Sequence, residues 1–212
     1  MAVTPNGLGY YLVGAGGGVY NYGDARWFGS IASLRLGTPV VAIAVTPSGH
    51  GYYLVTRGGN VFNFGDAPFY GSTAGRGLPP IAAFAVMPGA RGYWLVTTHG
   101  NVYNFGAARF FGSPARQKIA TVTAFAASPN GGGYWVVTSS GDVLNYGDVA
   151  DYGSLTDRRI APVTAFVPTA DGRGYWVVTA KGNVFNLGDA RFFGSSAHSP
   201  LSAPVTGFAV YF

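Results

Sequence analysis

Cysteine is absent from all 212 residues, which excludes a disulfide framework and any thiolate metal site. The chain therefore suits either a reducing compartment or a secreted protein stable enough without covalent staples. Charge is scarce too. Asp, Glu, Lys and Arg make up 10% of the residues, against about a quarter in an ordinary globular domain. Strands in such a chain must be covered on both faces, because there are too few charges to solvate them. Thirteen Lys and Arg against eight Asp and Glu leave a mild excess of +5. These positive charges are spread thinly, with only Arg158 and Arg159 adjacent, so no nucleic-acid partner is expected. No apolar run approaches ~18 residues, and no membrane span is expected. Met1-Ala-Val-Thr-Pro5 already reads as part of a repeat, so no signal peptide is expected there.

What the chain has in quantity is glycine (34 residues), proline (13) and aromatic residues (16%), and these fall at recurring positions. A Gly-aromatic-aromatic start occurs at Gly9, Gly51, Gly92, Gly133 and Gly174, with spacings of 42, 41, 41 and 41 residues. A fixed period in the forties, rich in β-branched and aromatic residues, marks a radial β repeat. Repeat two gives the type: strands at 40–45, 51–56 and 61–64, a tight turn at Gly65-Asp66, and a shorter fourth strand at 68–72. Pro68 suits an edge there, since proline cannot donate to a central ladder. Tyr93-Trp-Leu-Val96 and Tyr134-Trp-Val-Val137 do not alternate apolar and polar residues, so both faces of the second strand should be buried. The pattern predicts an all-β, five-bladed β-propeller of four antiparallel strands per blade, one domain over 1–212. Residues 204–210 copy the first strand, and they are expected to close the ring as the inner strand of the blade that starts at Gly9. Met1–Pro5 duplicates the end of that strand. A monomer is expected, with a strand-exchanged dimer at the same seam as the competitor.

The pattern Gly-Tyr-Trp-Leu/Val-Val-x-x-x-Gly-x-Val-Phe/Tyr-Asn-Phe-Gly-Asp-Ala-x-Phe-Phe/Tyr-Gly-Ser resembles a repeat of actinobacterial secreted and cell-wall-associated proteins, and it covers essentially the whole chain. The resemblance implies a secreted or cell-surface β-propeller acting as a binding module. The plan is also similar to WD-repeat propellers, although Phe64-Gly-Asp66 stands where their Trp-Asp pair would be, and to tachylectin-type sugar-binding propellers in blade number alone. Repeat three departs from the pattern with Ala107 for Asp, repeat four with Ala150-Asp151 for Arg/Pro-aromatic, and repeat five with Ala170 for the turn proline.

Catalysis needs a one-off constellation of acid, base or nucleophile, and every notable group here recurs, so no enzyme activity and no catalytic residue is expected. His50, His99 and His198 lie in different repeat slots without metal-ligand spacing, so no metal and no cofactor is expected. Asn21, Asn63, Asn104, Asn145 and Asn186 recur between aromatics in the third strand. They are either structural amides bonding backbone or groove amides facing a ligand hydroxyl. Asp24, Asp66, Asp148 and Asp189 follow the turn glycine, as turn chemistry or as ligand contacts. Arg26, Arg109 and Arg191 precede the pairs Trp27-Phe28, Phe110-Phe111 and Phe192-Phe193. They either stack on rings and cover apolar surface or form, with Trp27 and its counterparts, a platform for sugar. Two functions are expected from this pattern. One is a non-catalytic module binding carbohydrate, a cell-wall or extracellular glycan, at repeated inter-blade grooves. The other is a rigid scaffold that binds a protein partner and no small ligand.

Overall fold

The computed structural model describes residues 1–156, 158–197 and 199–210. Each repeat forms one three-stranded antiparallel sheet. Met1–Thr97, Val102–Phe110 and, of the last described residues, 209–210 fall in one compact unit. It holds three sheets: β1 (Ala2–Val3), β2 (Gly9–Val13) and β3 (Val19–Gly23); β4 (Val40–Val45), β5 (Gly51–Thr56) and β6 (Val61–Gly65); and β7 (Ile81–Val86), β8 (Gly92–Thr97) and β9 (Val102–Gly106). Thr98–Asn101 and Phe111–Phe208 fall in a second unit. It holds two sheets: β10 (Val122–Ala127), β11 (Gly133–Thr138) and β12 (Val143–Gly147), then β13 (Val163–Pro168), β14 (Gly174–Thr179) and β15 (Val184–Gly188).

The middle strand carries the core of four of the five sheets, whereas in β2 Tyr10 and Leu12 are each 39% exposed. All six residues of β5, β8, β11 and β14 are buried. Their lack of alternation thus has the expected cause, and Tyr93-Trp94, Tyr134-Trp135 and Tyr175-Trp176 are core residues. Within the first unit, Tyr11 of the first sheet packs with Ile43, Tyr52 and Leu54 of the second. Within the other unit, Trp135 and Val137 pack with Phe166, Tyr175 and Val177. Each such side chain contributes roughly 1.5–3 kcal/mol by leaving water. The third strand returns through a glycine with positive φ, for example Gly65 at 64°. Its register sets the recurrent asparagine opposite the second aromatic, as in Tyr53↔Asn63 and Trp94↔Asn104.

Two expectations are corrected. The fourth segments, such as 68–72, form no strand. Their main-chain groups are used elsewhere: the N–H groups of Phe28 and Gly29 donate to the Tyr52 hydroxyl (3.2 and 3.0 Å), that of Tyr70 to Tyr93 (3.0 Å) and that of Phe111 to Tyr134 (3.1 Å). The segment is a strap clamped on the next sheet, not an edge added to its own. The second correction concerns the edge of β2 opposite β3. Residues 204–210 form no strand, and Ala2–Val3 takes that edge, with Ala2↔Tyr11 and Val3↔Tyr10. Thr4 follows at once, its N–H and hydroxyl both reaching the Gly9 carbonyl (2.8 and 3.0 Å). Closing that short turn costs far less chain entropy than bringing the far end of the chain to the same edge. Val205 still donates its N–H to Ala180 (3.0 Å), as Val163 does to Ser139, so the copied sequence makes the bond that precedes a first strand without entering a ladder.

Candidate functional site

The asparagines are mostly internal braces. Asn21, Asn63, Asn104 and Asn186 donate from Nδ2 to the carbonyls of Ala25, Ala67, Ala108 and Ala190 at 2.8–2.9 Å. Each bond spans the hairpin turn between the third strand and the strap, within its own repeat. Repeat four differs: Val149 stands in the alanine slot, and the buried Oδ1 of Asn145 has no partner among the described residues.

The aspartates staple two turns together. Asp66 accepts from Thr46 Oγ1 (2.9 Å) and Ser48 Oγ (2.5 Å). Asp24 accepts from Thr4 Oγ1 (3.4 Å) and from Asn6, and Asp148 accepts from Asn130 (2.7 Å). In repeat five Thr169 Oγ1 lies 2.8 Å from Asp171 and 3.3 Å from Asp189, so an acid stands where repeats one, two and four put a donor. The Arg173 N–H, followed by the Thr169 hydroxyl, holds the Asp171 carboxyl below its ordinary range. In repeat three the hydroxyl, the donor and the carboxylate are all lost, as Met87, Gly89 and Ala107. That joint loss was readable from the sequence, yet only the missing Asp stood out.

The arginine slot works through its carbonyl. Tyr11 donates to Arg26 O (2.7 Å), Tyr53 to Pro68 O (3.0 Å), Trp94 to Arg109 O, Trp135 to Ala150 O and Trp176 to Arg191 O. Any residue supplies a carbonyl, which explains why the slot tolerates Arg, Pro and Ala. The side chains of Arg26, Arg109 and Arg191 are exposed, and Arg191 lies 5.7 Å from the Phe193 ring. The residue that follows points outward: Trp27, Phe69, Phe110 and Phe192 are each more than half exposed. Asp151 takes that slot in repeat four. In repeats one to four the second aromatic packs on the next sheet, as in Phe28–Tyr52 and Phe111–Tyr134, whereas Phe193 is 77% exposed.

Two kinds of groove lie between consecutive repeats. On the turn side, a cleft of 240 Å³ is lined by Asn6, Asp24, Arg26, Ser48 and His50, among others. Its counterpart in the other unit, of 260 Å³, is lined by Asn130, Trp135, Asp148, Tyr152, Asp171 and Arg173, among others. At the third strand, a more open groove of 500 Å³ lies between Ser30–Leu34 and β6, with Asn63, Phe62, Phe64 and the exposed Phe69 on its wall. Of the predicted site residues, Asp24, Arg26, Asp148 and Asn63 therefore reach a groove. Asn21, Asn104, Asn145, Asn186, Asp66, Asp189, Arg109, Arg191 and Trp27 line none of the three.

The chain matches no family model, and no curated protein matches it.

His50 and His99 are exposed, and His198 lies outside the described residues. Among the described residues no group of three or more His, Cys, Asp or Glu could hold a metal, and no helix is long and apolar enough to cross a membrane. What sequence reasoning missed is the set Tyr52, Tyr93, Tyr134 and Tyr175, whose hydroxyls donate to the carbonyls of Gly29, Gly71, Gly112 and Gly153 at 2.5–2.6 Å. Burial pushes all four phenols up, Tyr175 to about 12. The Gly-Ser that ends each repeat was the available signal, since a recurring glycine in a supposed edge strand marks a close approach.

Proposed function

We propose that the five sheets are blades of a β-propeller and that the protein is a non-catalytic, secreted or cell-surface module that binds glycan at its inter-repeat grooves. The observation that carries this reading is the recurrence of an exposed ring in one repeat slot, at Trp27, Phe69, Phe110 and Phe192. Exposed rings at a fixed period are costly in a chain with so little charge, and a sugar face that stacks on them accounts for their retention. Phe69 and Asn63 share one groove wall, so an apolar platform and an amide are side by side, the mix that orients a polyol. Each groove is shallow and weak alone, and repetition along a polymer supplies avidity. Calorimetry with cell-wall oligosaccharides tests the reading. Phe69→Ala and Phe110→Ala should each weaken binding by about 1 kcal/mol, some five-fold. No heat at sugar concentrations on the order of 10 mM would sink the proposal.

A second reading, a rigid scaffold for a protein partner, is favoured by a different observation. Four of the asparagine amides and the Asp24, Asp66 and Asp148 carboxylates are engaged by the chain's own backbone and turns. It predicts a pull-down that returns proteins and a flat response on a glycan array.

A further inference from the structure

The turn between the first and second strands makes two demands on adjacent residues. Its third residue supplies the donor that staples the aspartate: Asn6 to Asp24, Ser48 to Asp66 and Asn130 to Asp148. Its fourth lies at positive φ, 73° at Gly7, 74° at Gly49 and 72° at Gly131, which glycine adopts without strain. Where the donor is an amide, the two demands together write Asn-Gly. Asn6-Gly7 and Asn130-Gly131 are the only such pairs in the chain. Asparagine before glycine is the setting in which a main-chain nitrogen most easily reaches the side-chain carbonyl carbon, because no Cβ shields that nitrogen.

The turn holds each pair apart from that reaction. Asn6 Oδ1 accepts from the Leu8 N–H (3.1 Å) and the Thr4 hydroxyl (2.7 Å), while the Gly7 N–H donates to the Thr4 carbonyl (2.9 Å). Asn130 Oδ1 accepts from the Gly132 N–H (2.9 Å) and the Ser128 hydroxyl (2.6 Å), while the Gly131 N–H donates to the Ser128 carbonyl (2.9 Å). The glycine nitrogen must leave its carbonyl before it can turn on the amide, and the bond to Asp24 or Asp148 opposes that opening. Repeat five already carries the product in the same slot. There Asp171-Gly172 shares the Thr169 hydroxyl with Asp189, so the fold accommodates a carboxylate at this position.

We propose that Asn6 and Asn130 are sites of spontaneous deamidation, each gated by the aspartate that staples it. The glycine nitrogen bonds to the asparagine Cγ, the Cγ–Nδ2 bond breaks, and the glycine N–H proton leaves with Nδ2 as ammonia. Water then opens the cyclic imide at either carbonyl, giving aspartate or its β-linked isomer. Each conversion adds a negative charge to the turn-side cleft that the residue lines. Peptide mapping by mass spectrometry, on folded protein held in mildly alkaline buffer, tests this. Asn6 and Asn130 should convert ahead of every other asparagine, none of which precedes glycine. Asp24→Ala should speed conversion of Asn6 roughly ten-fold and leave Asn130 at its wild-type rate, and Asp148→Ala should do the reverse. Asn6→Ser and Asn130→Ser should abolish conversion at their own sites and keep the wild-type circular dichroism, because Ser48 already staples Asp66 in repeat two. Conversion of Asn6 and Asn130 no faster than that of the other asparagines overturns the proposal. An Asp24→Ala variant that leaves Asn6 unchanged, or that speeds Asn6 and Asn130 alike, overturns the gating by the local staple.

Discussion

Tyr52, Tyr93, Tyr134 and Tyr175 act as hydrogen-bonding posts between repeats, and their protons are part of the structure. Burial raises each phenol above its ordinary value of 10.0, and Tyr175, with Asp151 as a further cause, reaches about 12. A folded pKa above the unfolded one means that the native state holds protons the unfolded chain has released. This contribution is therefore complete below pH 10 and is lost as pH rises from 10 through about 12. Absorbance and circular dichroism followed together should show these phenols ionising only as the fold is lost. Titration of all fourteen tyrosines near pH 10 with an intact spectrum would contradict the assignment. Asp171 offers a second case. Asn130 donates to Asp148, but Asp171 faces Asp189 around the Thr169 hydroxyl. Asp171→Asn removes the charge that the Arg173 N–H and the Thr169 hydroxyl favour, so it should lower the melting temperature at pH 7, by little because the site is exposed. The difference should vanish in acid, where the wild-type Asp171 carboxyl is protonated too. The asparagines give a matched pair. Asn104→Ala should cost about 1 kcal/mol by denaturant unfolding, because it deletes the 2.9 Å bond to Ala108. Asn145→Ala should cost less, because the buried Asn145 Oδ1 already lacks a partner.

At the scale of elements, the first two strands of repeat two, Val40–Val45 and Gly51–Thr56, are where the sequence pattern put them. The third extends one residue further, to Gly65. The fourth is absent because hydrophobic periodicity reports which residues are buried and not what their amides bond. The N–H groups of Phe28, Gly29, Tyr70 and Phe111 look the same in sequence whether they meet a neighbouring strand or a tyrosine hydroxyl. The strap also explains one glycine per repeat. Gly112 has φ 138°, and a Cβ there would lie 2.5 Å from the Tyr146 ring. Gly112→Ala should therefore destabilise by ~2–3 kcal/mol in chemical denaturation, far more than an exposed loop glycine such as Gly37, which has nothing within 4 Å. The arginine slot makes a related point: it varies because its carbonyl is the conserved function within the chain, received by Tyr11, Tyr53 and the three tryptophans.

For the whole molecule, the net charge of +5 is dispersed, and few charges are paired among the described residues. The ion pair of Arg173 with Asp171 is long, at 3.8 Å, and exposed. Stability should accordingly change little with salt, since surface pairs of this kind contribute about 0–1 kcal/mol. Retention on a polyanion column should end at low ionic strength, whereas glycan binding through stacked rings should persist in 0.5 M salt, on the order of three times physiological. A binding isotherm repeated at both salt levels separates these two modes of attraction.

The amino-acid sequence by itself determined the repeat, its period, the strand order and the buried middle strand, because spacing and hydropathy are properties of the chain alone. It also marked the asparagine, aspartate and arginine slots as special, without distinguishing a brace from a contact. Only the tertiary structure decided that Asn63 bonds Ala67, that Asp66 staples the Thr46 turn, and that the arginine slot serves through its carbonyl. It also decided that Ala2–Val3, and not 204–210, lines the edge of β2. The physical reason is common to all of these. A polar group declares its type in the sequence, but its partner is whatever the packing of distant segments brings within about 3 Å.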